Sequence, residues 1–289
     1  MESPPLILCI RIHITNTSKK FNYEVRSDVA KLAPAIIDVM EVAQTNGVRC
    51  WLNYGALLGM IREQRLLPWN NDAQLCCWYE TNLSYKFKRI TEELNKMGYH
   101  AIYYSTIGAI SIRQKGVAVH ITCYWQDGDY AVRPHESPSD FGYAPFTARI
   151  FYWLATFMGA YPSGLAGKND VPLSINEFIK IVLVSGFRIL PVFIRKKLFI
   201  FLINSSKLFG GVFQKTAIPV EYFEKLMLCD FYGGKVYVPG KSEQLLCLIY
   251  GKEWNVPKDA WSFYDEKNKG DSGIIFIDET WDYATMDII

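Results

Sequence analysis

The sequence WLNYGALLGMIREQRLLPWNNDAQLCCWY, from Trp51 to Tyr79, restricts the possible folds more than any other stretch. Val48 to Asn53 is short and apolar enough for a central strand. Tyr54-Gly55 then turns the chain into Ala56-Leu57-Leu58-Gly59, where Gly55 and Gly59 let the backbone come close to a ligand or a neighbouring segment. Arg62 and Arg65 follow on the next turn, placed to face a phosphate held there. Pro68-Trp69 ends that turn, and Asn70, Asp72 and Gln74 alternate along the start of a second strand, so all three share one face. Polar groups on a buried strand need a ligand or a metal to offset their desolvation. Two glycines alone would be a structural turn, and two arginines alone ordinary surface charge. Together, in this order, they are the layout of a phosphate-and-metal site.

Upstream, apolar residues at Val29, Leu32, Ile36, Val39, Met40 and Ala43 keep a helical spacing over residues 27–46, and Asn46-Gly47 stops the run. Downstream, residues 84–97 form a second amphipathic helix closed by Gly98. Three strands, Tyr99 to Tyr104, Ile107 to Arg113 and Val117 to Trp125, then read as an antiparallel meander with His120 and Thr122 on one face. A lone strand histidine is more often structural than a ligand. Asp127 to Pro145 is rich in Pro, Ser and Asp and reads as irregular. Phe146 to Tyr161 and Ile175 to Phe213 are strongly apolar and read as a helical hairpin over the core. A sharper reading lays 175–213 in a membrane interface, its basic residues on headgroups. A hairpin at 231–239, a helix at 242–250 ending at Gly251 and an edge strand at 274–277 complete the pattern.

The fold class is therefore α+β. The expected divisions are an N-terminal extension (1–24), a core (25–145), an apolar helical segment (146–215), a C-terminal α+β segment (216–262) and an acidic tail (263–289). The chain has 289 residues, half of them apolar, enough for one large core or two modest ones. Its net charge of +2 is too small for a nucleic-acid groove, so no nucleic-acid partner is expected. The cysteines Cys9, Cys50, Cys76, Cys77, Cys123, Cys229 and Cys247 form no CxxC pair and read as buried thiols. The stretch MESPPLILCIRIHI begins with an acidic residue, Glu2, and Arg11 interrupts its apolar run. A signal peptide or clear transmembrane anchor is thus not expected, and a cytoplasmic or membrane-peripheral location is.

YGALLGMIREQRLLPWNNDAQL resembles the signature of the LicD/fukutin family, YGTLLGAxRxxxxIPWDxDxD, and FYGGKVYVPGKSEQLLCLIYGKEWNVP is similar to that family's C-terminal signature of Gly, Val-Pro, Tyr-Gly and Trp. The resemblance implies a nucleotidyltransferase-like mixed sheet with flanking helices. It also implies a phosphotransferase that moves a phosphorylated small molecule, such as phosphocholine or ribitol 5-phosphate, from a CDP-linked donor to a hydroxyl of a glycan or glycoconjugate. Both donor phosphates are anionic, so Mg2+ or Mn2+ held by carboxylates is the implied cofactor. The family takes those acids from the alternating positions after Pro-Trp and from an aspartate on a later strand.

This chain has Asn70 at the first acid position, Asp72 at the second, Gln74 at the third and Thr122 at the later one. Each amide keeps an oxygen that can ligate but lacks the charge, and it cannot act as a base. Two readings follow. In an active transferase Asp72 holds the metal with Asn70, Gln74 and Thr122 as neutral ligands, Gly55 and Gly59 admit the donor, and Arg62 with Arg65 neutralises its phosphates. Glu63, Asp127 or Asp129 would then be the base. In an impaired family member the chain binds a nucleotide, a glycan or a partner without turnover.

Overall fold

The computed structural model describes residues 29–70, 72–105, 108–114, 116–135, 145–158, 160–162, 186–187, 189–211, 214–257 and 273–277. Its architecture is α+β, a mixed sheet of nine strands with helices against it and a separate two-stranded ribbon. The expected helices are present as α1 (Val29–Thr45) and α3 (Leu83–Lys96). α1 buries Leu32, Ile36, Val39 and Ala43, the 3.6-residue stripe read from the sequence. α2 (Tyr54–Glu63) lies between them in chain order and starts directly after β1 (Trp51–Asn53).

Strand β5 (Val117–Asp127) organises the sheet. It pairs in parallel with β2 (Asp72–Trp78), antiparallel with β4 (Ala109–Gln114), and through Trp125–Asp127 with β6 (Tyr130–His135). β3 (His100–Tyr104) follows β4, which completes the expected meander. β2 also pairs with β1, and β3 with β7 (Ala160–Pro162). On the other side, β6 pairs with β8 (Gln214–Pro219), and β8 with the edge strand β11 (Ile275–Ile277). Strands from residues 160–162, 214–219 and 275–277 therefore complete the sheet begun within 25–145.

The segment read as irregular from Asp127 contains β6, so that reading is corrected. Asp127 and Tyr130 close an Asp-Gly-Asp hairpin, and pairing on both sides of β6 outweighs the strand-breaking tendency of Pro134. The two apolar stretches supply α4 (Phe146–Met158) and α5 (Val192–Leu208), an antiparallel helix pair. Residues 175–185 lie outside the described residues. The C-terminal ribbon is β9 (Leu226–Phe231) with β10 (Gly234–Pro239), followed by α6 (Ser242–Tyr250). Cys50, Cys76, Cys77 and Cys123 are buried, Cys229 and Cys247 are half-buried, and all six are thiols outside any disulfide.

β3 is tied to α1 by the Tyr99 hydroxyl, which donates to Asp38 Oδ2 at 2.6 Å. Burial and the neighbouring Asp38 carboxylate both raise the Tyr99 phenol above its ordinary value. A raised folded-state pKa gives stability that is complete below the unfolded value, about 10, and is lost as pH climbs past it. Tyr99→Phe should cost about 1–2 kcal/mol at neutral pH, and its urea midpoint should fall less steeply than that of the natural chain above about pH 10.

Candidate functional site

Parallel pairing of β2 with β5 stacks side chains into rows on one face of the sheet. Asp72 lies opposite Ala118, which lies opposite Arg113 of β4. The next row is Asn53, Gln74, His120 and Ser111, and the row after it Trp51, Cys76, Thr122 and Ala109. Beyond these, Trp51, Trp78, Tyr124 and Phe223 form an aromatic floor, with Trp51 stacked on Tyr124 at 6.4 Å between centroids and Phe223 5.3 Å from Tyr124. The face grades from polar at the head of β2 to aromatic at its tail.

This register separates Thr122 from Asp72, two of the four expected metal-ligating residues. Thr122 pairs with Cys76, four residues beyond Asp72, which is about 13 Å along a strand rising about 3.3 Å per residue. Two ligands of one magnesium ion each sit about 2.1 Å from it, so Asp72 and Thr122 cannot share an ion. Asn70 turns its amide towards the helix that precedes it, where a Cβ on Gly55 would lie 3.0 Å from Asn70 Nδ2. Gln74 Oε1 is buried and makes no hydrogen bond.

Arg133, from β6, was not picked out in the sequence and brings a buried positive charge to this face. Only 5% exposed, it donates from Nη1 to Thr122 Oγ1 at 3.3 Å and from Nη2 to the Tyr54 hydroxyl at 3.1 Å. Its guanidinium lies 5.1 Å over the Tyr54 ring and 5.8 Å from that of Tyr124. A buried cation therefore adjoins the oxygen expected to ligate a metal. At an effective dielectric of about 20, two unit charges 4 Å apart repel by about 4 kcal/mol, and a divalent ion by about twice that. Among the described residues no three His, Cys, Asp or Glu side chains form a group that could hold a metal. One carboxylate, displaced from a hydroxyl already bonded to a guanidinium, does not fit Mg2+ or Mn2+ in the implied arrangement.

Beside Arg133, Cys76 Sγ lies 3.3 Å from Thr122 Oγ1, and Asn53 Nδ2 reaches Cys76 Sγ at 3.1 Å and the Tyr124 hydroxyl at 3.3 Å. Burial lifts the Cys76 thiol above its ordinary value and outweighs the opposing pull of Arg133. The thiol stays protonated and is no nucleophile. Burial likewise holds the Tyr124 phenol well above its usual range.

The strand-to-helix corner differs from the expected glycine turn. Tyr54 itself takes the left-handed conformation (φ 46), and α2 begins there, with Ala56, Leu57 and Leu58 buried. A non-glycine residue in that region costs about 1 kcal/mol or more, and the Tyr54 ring and hydroxyl serve Arg133 in return. Gly59 admits the chain's own return segment: a Cβ there would sit 2.5 Å from the Arg65 carbonyl. Arg62, 9% exposed in its side chain, pairs with Glu63 at 2.8 Å and donates to the Trp254 carbonyl at 3.4 Å. Arg65 is 60% exposed and pairs with the other Glu63 oxygen at 3.2 Å. Glu63 is thus held between two arginines, while Asp127 and Asp129 lie at the opposite end of β5 from Asp72. The Leu66 amide donates to the Tyr232 hydroxyl at 3.1 Å, so the two sequence stretches with recognisable signatures dock on one another.

Fold and face together define an α+β protein whose mixed sheet carries a polar face with one carboxylate, Asp72, at its head. Residues 47–129 match the family model described as LicD/FKTN/FKRP, nucleotidyltransferase domain, so this part of the chain is similar to that domain. No curated protein matches the chain.

Two outcomes test this geometry. Gly59→Ala should lower stability by about 2 kcal/mol, because its clash is with backbone, whereas Gly55→Ala should cost less than about 1 kcal/mol because Asn70 can swing away; urea midpoints compare them. Thr122→Asp should place a carboxylate against Arg133 and hold it below the usual carboxylate range. Its stability relative to the natural chain should then be highest near about pH 7 and fall towards about pH 3 as that group protonates.

Proposed function

We propose that the chain is a LicD/fukutin-type protein that binds a CDP-linked donor of a phosphorylated small molecule, in the service of glycan modification, and that it is impaired in metal-assisted transfer. The observation that carries this reading is the bond from Arg133 to Thr122. A fixed guanidinium supplies positive charge where the family would use a carboxylate to gather a mobile cation. Phosphates are well matched by arginine, and a fixed charge needs no metal to be present. Phosphocholine, ribitol 5-phosphate or a similar group is the transferred class that the family implies, with a glycan hydroxyl as acceptor.

The second reading, an active transferase, draws on Asp72 at the head of β2 and on the buried Gln74 oxygen without a hydrogen bond. An acid at the first position and another at the third would be needed to approach the family's charge, and neither Asn70 nor Gln74 provides one.

Calorimetric titration with CDP separates the readings. The impaired binder should take up CDP equally in chelator and in millimolar manganese, and Arg133→Gln should weaken binding by about tenfold or more. Metal-dependent release of CMP from a CDP-linked donor, abolished by Asp72→Ala, would overturn it in favour of the transferase.

A further inference from the structure

Helix α5 presents a stripe of large apolar side chains that the described residues leave exposed. It meets α4 through Ala155, Met158, Phe199 and Ile203, with the Ser206 hydroxyl donating to the Ala148 carbonyl at 2.8 Å and Arg195 Nη1 to the Met158 carbonyl at 3.4 Å. Those contacts run antiparallel and leave the outer side open. On α5, Phe193, Phe201 and Leu208 are 64%, 62% and 82% exposed and lie on one stripe, with exposed Lys197 and Asn204 between them. On α4, Phe146 is 72% exposed, and Ile150 and Trp153 39% each. Each helix turns these side chains away from the other, so they form two separate stripes, and monomeric proteins rarely leave a row of large side chains such as that on α5 in water without using it.

The charges in this pair are all of one sign. Neither helix contains an Asp or Glu, while Arg149, Lys196, Lys197 and Lys207 border the apolar side chains. Among the described residues no helix is long and apolar enough to cross a membrane. α5, at 17 residues, is about 25 Å long, a length suited to lying along a surface. We infer that the exposed face of α5 docks on a bilayer surface carrying anionic headgroups, with its aromatic and aliphatic side chains in the headgroup boundary and its lysines on the lipid charges. A second copy of the chain is the poorer occupant, because it would bring the same cations against these. The expected headgroup role of Arg195 is corrected: it is buried and holds the C-terminal carbonyl of α4.

This inference is independent of nucleotide binding and is tested separately, by flotation of the full chain with phosphatidylcholine vesicles with and without phosphatidylserine. The natural chain should float with the anionic vesicles. The triple variant Phe193→Ser, Phe201→Ser, Leu208→Ser should stay at the bottom with an unchanged urea midpoint, since all three side chains are exposed. Lys196→Gln with Lys197→Gln should lower partitioning about thirtyfold at low salt, about fivefold per cation. A natural chain that stays at the bottom with anionic vesicles overturns the inference, as does a triple variant that floats equally well. A natural chain that is dimeric by light scattering and does not float, with a monomeric triple variant, overturns it in favour of a second copy.

Discussion

The parallel pairing of β2 with β5 is the constraint on which the site depends. Because both strands run the same way and alternate with period two, one register decides every neighbour on the site face at once. It puts Gln74 beside His120 and Cys76 beside Thr122, and it leaves Asp72 next to an alanine. A shift by one residue would turn the whole face into the core. The buried side, with Ala73, Leu75 and Cys77 against α1 and α3, is what prevents that shift.

On that frame the charge distribution follows from a single residue. Arg133 reaches the face from β6 and is held by a tyrosine hydroxyl, a threonine hydroxyl and two aromatic rings. Rings and hydroxyls stabilise a guanidinium while leaving its charge in place, whereas a carboxylate partner would neutralise it. The strained Tyr54 corner is the local cost of this arrangement. Close by, the C-terminal ribbon and α6 brace α2 through Tyr232, Trp254 and the buried Tyr250, which explains why two signatures far apart in sequence occur in one protein.

Much of this was legible in the sequence. The stripes of α1 and α3, the meander of β3, β4 and β5, and the shared face of Asp72 and Gln74 are local periodicities, and local periodicity survives folding, whereas Asn70 precedes β2 and turns to Gly55. The depletion of acids was equally plain from residue identity. Register was not legible, because nothing near Thr122 encodes that its partner is Cys76. Arg133 was missed because composition, with Pro134 next to it, outweighed the alternation of Ala131 and Arg133 with Tyr130 and Val132 around an Asp-Gly turn. Helix α2 was missed because two glycines weaken a helical reading, while the burial of Ala56, Leu57 and Leu58 that overrides them is a tertiary effect. Arg62 was legible as a cation but not as a strut to Trp254.

The place of β6 in the sheet has a consequence for the order in which the protein can mature. Its inner neighbour, β5, leaves the ribosome just before it, but its outer neighbour, β8, emerges only after the whole α4–α5 pair, and Arg133 lies opposite Thr216 in that late ladder. During synthesis the guanidinium therefore belongs to an edge strand for as long as it takes to make the hairpin, and the face on which it acts closes late. A chain stalled within α5 would contain the whole matched segment, 47–129, and yet lack the backbone partner that fixes its central charge.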